Sequence, residues 1–150
     1  MTARLGDHFP PEVREDFFKR NLVKGAVLRA QTELTVPPKI KLFVVWGLAE
    51  SLNQIGISFI NREISFVKNP KLQTLQYPLF SINNPFLTYD SYLDCSKIYE
   101  KNLKKVRDLL MANNKVFLGN ISSNDLLAAE KIIQNAPTIE HKLKRKYGFI

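Results

Sequence analysis

Asn84-Pro-Phe-Leu-Thr-Tyr-Asp-Ser-Tyr-Leu-Asp-Cys-Ser-Lys-Ile-Tyr99 packs acids, hydroxyls, an amine and aromatic rings into one segment. Phe86, Leu87, Tyr89, Tyr92, Leu93, Ile98 and Tyr99 give it the aromatic and branched bias of a strand. Asp90, Ser91, Asp94, Ser96 and Lys97 add polar atoms that a purely structural strand seldom collects. Side chains two positions apart on a strand share a face. The spacing therefore predicts that Tyr92, Asp94 and Ser96 project together, with Cys95 and Lys97 on the other side. A carboxylate between a phenol and a hydroxyl can accept a proton from, or orient, a ligand hydroxyl. The same residues would equally serve to satisfy a turn or a strand end.

Upstream, Lys39-Ile-Lys-Leu-Phe-Val-Val-Trp-Gly47 is the strongest strand. Its polar/apolar alternation turns continuously apolar, as in a strand entering a core, and Lys39 and Lys41 share a face at its mouth. Ala26–Gln31 reads as the strand before it and Ile55–Asn61 as the strand after. Glu63–Val67 continues that strand or begins another. Pro10-Pro11 followed by residues 12–22 reads as a helix with acids first and bases last, its apolar face made by Val13, Phe17, Phe18 and Leu22 and its end marked by Gly25. Glu33–Pro38 is loop. Residues 68–85 hold three prolines and read as loop with a short strand at Tyr77–Ile82.

Beyond the opening segment, Tyr99, Leu103, Val106 and Leu110 recur at helical spacing, closed by Asn113-Asn114. Lys115–Asn120 is a last short strand or turn. Ser122 and Asp125 start a helix carrying Leu126, Leu127, Ile132 and Ile133. Pro137-Thr138 opens a basic segment, helical from Ile139 to Lys146. One domain over 1–150 is expected: an N-terminal helical extension (1–23), a mainly β body with helices (24–136) and a basic C-terminal segment (137–150). The class is α+β, mainly β.

The formal charge is +8. Residues 1–100 carry 12 Lys/Arg against 10 Asp/Glu, and residues 101–150 carry 10 against 4. The surplus lies in the last third, densest at Lys142, Lys144, Arg145 and Lys146. That balance favours an anionic partner, a nucleic acid or an acidic protein, although a basic solvated surface has the same composition. Tyr77, Phe80, Phe86, Tyr89, Tyr92 and Tyr99 interleave with Lys71 and Lys97, a mix suited to base stacking beside backbone contacts and, in part, to core packing. His8 and His141 have no third ligand at metal spacing, so no metal is expected. No glycine-rich loop cradles phosphates, so no cofactor is expected either. The lone Cys95 has no histidine near it in sequence and reads as an inert strand thiol in a reducing compartment. With no apolar run of membrane-spanning length and no signal segment at the N-terminus, a cytoplasmic protein without membrane contact is expected.

Several short strands, then Phe117-Leu-Gly-Asn-Ile-Ser-Ser-Asn-Asp-Leu-Leu127 and a closing helix, resemble the MazF/PemK (Kid) family of toxin–antitoxin toxins across residues 24 to 136. Gly25 stands at strand one, Lys41–Trp46 as the buried second strand, Tyr92-Leu-Asp-Cys-Ser-Lys97 as the strand bearing the active-site acid, and Gly119-Asn-Ile-Ser122 as the pattern before the last helix. The resemblance implies an SH3-like small barrel with added N- and C-terminal helices, acting as a homodimer. It also implies metal-independent endoribonuclease (hydrolase) activity on single-stranded RNA, and an acidic antitoxin as partner. Asp94 would be the base or its orienter, Lys39 or Lys41 would hold the phosphate, and Tyr92 and Ser96 would line the substrate. Lys97 and the C-terminal basic residues would contact RNA. This chain has Pro38-Lys39 where the family has Arg-Pro, and Tyr92 where it has an arginine two residues before the acid. The alternatives are a catalytically silent or gyrase-poison-like barrel that binds protein, and a nucleic-acid-binding accessory domain.

Overall fold

The computed structural model describes residues 10–32 and 37–150. His8 and most of the expected Glu33–Pro38 loop lie outside them. Strands β1 (Ala26–Thr32), β2 (Lys39–Ala49) and β3 (Gln54–Asn61) form an antiparallel meander. β3 is buried at every position from Ile55 to Ile60, which is why it reads as an unbroken apolar run. On its second edge it pairs with β5 (Ser91–Asp94) through Ile60 and Asn61, and with β6 (Tyr99–Asn102) through Gln54 to Ile57. β4 (Gln76–Leu79) pairs with β5, and β7 (Phe117–Asn120) with β1, giving the order β4-β5-β3-β2-β1-β7 with β6 beside β3. Among the described residues no ladder joins β4 to β7, so the sheet is open. The fold is α+β, and the described residues form a mainly antiparallel seven-stranded sheet and five helices.

Each face of the sheet is covered. On one, Leu28, Phe43, Ile57 and Phe59 meet Phe17, Phe18 and Leu22 of the helix α1 (Pro11–Asn21) and its C-cap, and Leu103, Val106 and Leu110 of α3 (Leu103–Ala112). On the other, Val27, Val44, Trp46, Ile60 and Leu93 meet Ala129 and Ile133 of α4 (Ser123–Asn135), together with Tyr147 and Phe149 after α5 (His141–Lys146). A short helix, α2 (Pro70–Gln73), precedes β4. Trp46 is the extra residue of a β-bulge between Val45 and Gly47. Its ring stands edge-on to Phe149 at 5.4 Å, and its Nε1 donates to Ser58 Oγ at 2.7 Å, which donates in turn to the Lys97 carbonyl at 2.6 Å. A buried indole keeps its polar handle satisfied in this way.

Two devices attach the C-terminal half. Gly47 and Gly56 are directly paired across β2 and β3, and the Tyr147 ring lies on them. A Cβ on Gly56 would come within 2.8 Å of that ring. At the start of α4, Ser122 caps Asp125 N–H while the Asp125 carboxylate accepts from Tyr77 Oη (2.7 Å), Asn84 Nδ2 (2.9 Å) and Ser122 Oγ (2.7 Å). This buried network ties β4 and the following turn to the helix. Burial disfavours the Asp125 charge, but the bonds from Asn84, Ser122 and Tyr77 outweigh it and hold the carboxyl below its ordinary value of 3.8.

Several expected boundaries move. Residues 84–99 are not one strand: Ser91–Asp94 forms β5, the chain turns at Cys95-Ser96, and strand resumes only at Tyr99. Tyr99 belongs to β6, so α3 begins at Leu103, capped by Asn102 and by Asn53, whose side chain accepts from Lys104 N–H. Asn53 has the left-handed φ of 52° that asparagine tolerates. Glu63–Val67 forms no strand, and β4 ends at Leu79 rather than Ile82. Val13 faces away from the core that Phe17, Phe18 and Leu22 join. In α5, Lys144 is buried and donates to the Gln134 and Ala136 carbonyls at the end of α4, where a cation offsets the helix dipole.

Gly56→Ala is expected to destabilise the protein by about 1–3 kcal/mol through overpacking. A urea double-mutant cycle with Tyr147→Leu should recover part of that loss, because the two positions touch. The depressed Asp125 carboxyl contributes stability that is full above its ordinary pKa and is lost as pH falls through the lower folded value. Wild type should therefore lose more stability than Asp125→Asn between about pH 7 and about pH 3 in paired urea melts.

Candidate functional site

The sheet register builds the site. Asn61, the last residue of β3, pairs with Tyr92 of β5, and Lys41 stands on the other side of Asn61, one step past the Leu42–Ile60 pair. Directly paired residues present their side chains to one face, so Lys41, Asn61 and Tyr92 form a row. Lys41 Nζ donates to Asn61 Oδ1 and lies 5.8 Å from the Phe59 ring centroid. Asp94 is two residues past Tyr92 and hence on the same face. Burial first, and Lys39 second, lower the Lys41 pKa below its ordinary range, while the Asp94 charge opposes them. Lys41 and Asp94, remote in sequence, therefore share one electrostatic neighbourhood.

Asp94 is half-buried and well held. Its Oδ1 accepts from Gln76 Nε2 at 2.9 Å, Ser96 N–H at 3.0 Å and Ser96 Oγ. Its Oδ2 has no partner among the described residues. Ser96 thus does not project beside Tyr92 on a common strand: the backbone turns, and the serine folds back to fix the acid. The two readings of Asp94 and Ser96, turn and chemistry, describe the same geometry. One carboxylate oxygen is immobilised while the other can take a proton from a bound hydroxyl. Lys39, exposed at the start of β2, adds a second cation.

The other expected contacts lie elsewhere. Lys97, Lys142 and Lys146 line a separate cleft of about 460 Å³ with Gln54, Glu100 and Glu140. Gln54 and Asn61 are the two ends of β3, roughly 23 Å apart by strand rise. Lys146 donates to Glu100 Oε2 at 2.6 Å and to Gln54, and Tyr147 Oη donates to the same carboxylate oxygen at 2.7 Å. With Lys144 buried, only Lys142 and Arg145 of the basic run are exposed, so the run is not a continuous cationic surface. His141 is exposed, and among the described residues no group of three His, Cys, Asp or Glu is placed to hold a metal. Among the same residues no helix is long and apolar enough to cross a membrane.

Reading by residue type overlooked Asn61 and Gln76, which orient the amine and the acid. The polar Asn61-Arg62-Glu63 at the end of an apolar run was the available signal. Cys95 is fully buried, and burial, then the Asp94 charge, push its thiol up to about 12. Iodoacetamide should accordingly leave Cys95 unlabelled in the native protein and label it only in step with urea unfolding; native-state labelling would show the core around β5 to be open. No protein-family model matches the chain and no curated protein matches it at a significant level.

Proposed function

We propose that this chain is a MazF/PemK-like toxin-type endoribonuclease that cuts single-stranded RNA without a metal ion. The observation that carries the reading is the convergence of Lys41 and Asp94 across Asn61 at one end of the sheet. Asp94 Oδ2 takes the proton of a ribose 2′-hydroxyl, whose oxygen attacks the adjacent phosphorus. The bond from phosphorus to the 5′-oxygen breaks, leaving a 2′,3′-cyclic phosphate and a 5′-hydroxyl. Lys41 offsets the charge on the phosphate and, as a more acidic ammonium than an ordinary lysine, protonates the departing 5′-oxygen. Tyr92 donates a hydrogen bond to a phosphate oxygen, and Gln76 and Ser96 keep Asp94 aimed. The small-barrel relationship, the homodimer, the cytoplasmic setting and an acidic antitoxin belong to the same proposal. The net charge of +8 supports an acidic mate.

A second reading, a silent RNA- or protein-binding relative, draws on the three donors that already occupy Asp94 Oδ1. Incubation of the purified protein with a long RNA in EDTA separates the two. Cuts ending in cyclic phosphate are expected, with the rate lowered about 100- to 10,000-fold in Asp94→Asn and about 100- to 1,000-fold in Lys41→Ala. Activity should also fall at alkaline pH, below the ordinary lysine range, as Lys41 loses its proton. Intact RNA, or equal cutting by Asp94→Asn, would end the nuclease reading.

A further inference from the structure

At the same end of the sheet, but on its opposite face, a groove of about 440 Å³ opens. Its volume lies in the range of roughly 300–1,000 Å³ usual for small-ligand sites. Register fixes which face this is. Arg29 pairs with Leu42, and Arg62 follows Asn61, so both project away from the row of Lys41, Asn61 and Tyr92. Ile40, Phe86, Tyr89 and Ser91 complete the parts that matter, and Lys41 borders the groove where the two faces meet at the start of β2. The Arg62 guanidinium lies 3.9 Å over the Tyr89 ring centroid, yet Tyr89 is still 52% exposed and Ile40 59%.

The charge in this groove is one-sided. Among the described residues no acidic one lines it and neither arginine has a carboxylate partner. Asp90, next to Tyr89, is turned away and accepts from Ser81 N–H and Oγ at 2.8 and 3.0 Å. The cleft around Lys97 and Lys142 differs, because Glu100 and Glu140 stand beside its lysines. Two unneutralised guanidinium groups, an open aromatic ring and an apolar floor suit a ligand that carries an anion and a flat ring in each repeating unit. A polynucleotide has both. An acidic peptide would engage the arginines and leave the Tyr89 and Phe86 rings unused.

We propose that this groove is a nucleotide subsite for single-stranded RNA, with a base stacked on the Arg62–Tyr89 pair and Arg29 on the adjoining phosphate. The proposal rests on the RNA reading above but not on the role of Asp94, so binding and cutting test them separately. The probe is a short fluorescent single-stranded RNA with 2′-O-methyl sugars, which cannot be cut by its own 2′-oxygen, titrated with the 150-residue chain in EDTA. Tyr89→Leu, Arg62→Ala and Arg29→Ala should each weaken binding about tenfold. Each arginine variant should flatten the dependence of log affinity on log salt by about 1. Tyr89→Phe should bind like wild type, since its ring still stacks, and circular dichroism should show all of these exposed-site variants folded. Weakened binding by the variants supports the subsite even if no RNA is cut. Unchanged RNA binding by all three overturns it and leaves the nuclease reading standing. Weakened binding to a polyglutamate peptide with RNA binding unchanged overturns it in favour of an acidic protein partner. A wild type that binds no RNA removes both proposals.

Discussion

Strand β3 has neighbours along both edges and apolar side chains on both faces, and the other elements are placed to keep it dry. Burying a strand this completely leaves no room for polar groups except at its ends, because an unpartnered polar atom in the interior is strongly unfavourable. Within the strand only Ser58 is polar, and it links the Trp46 indole to the Lys97 carbonyl. At one end Gln54 joins the Lys146, Glu100 and Tyr147 network. At the other, Asn61 meets Lys41, and the chain runs on into Arg62. The distribution of chemistry on this protein follows from the dryness of one strand.

The helices are held by equally local means. Tyr147 sits on the Gly47–Gly56 pair because those residues have no Cβ to hold it off, so the C-terminal segment approaches the sheet backbone directly. Lys144, which reads in sequence as one more surface cation, is used to satisfy carbonyls at the end of α4. Asp125 does corresponding work at the start of that helix. It draws in Tyr77 and Asn84, and with them the turn that leads toward Phe86 and Tyr89. The rim of the Arg29–Arg62 groove is thereby positioned by a buried carboxylate on another element.

In the proposed function, cutting and gripping are divided between the two faces of one sheet end, and Lys41 borders both. The face carrying Asp94 combines a fixed acid with a lysine whose proton is held less tightly than usual. The face carrying Arg62 combines permanent positive charge with a ring. Arginine stays protonated wherever it is placed, and lysine responds to burial. The two cation types are therefore suited to different tasks, binding in one case and proton transfer in the other.

Much of the fold was legible in local pattern. The apolar runs 42–46 and 55–60 announced central strands, Ser122 with Asp125 announced a helix start, and Leu103, Val106 and Leu110 announced a buried helix face. Asp94 stood out as an acid among aromatic residues. What could not be read there was partnership. Lys144 and Lys146 look like the exposed Lys142 in sequence, and only their tertiary neighbours make one a helix cap and the other half of an ion pair. Ser96 looked like a third functional side chain, but backbone geometry turns it onto Asp94. Arg29 and Arg62 were inconspicuous because nothing local says that two strands bring them to one groove. The amino-acid sequence by itself determined the α+β class, the central strands and the candidate acid, since these depend on periodicity and residue type. Tertiary structure alone decided that the sheet is open, which cations are neutralised and which faces Asp94 and Arg62 occupy, because register and long-range pairing assign those.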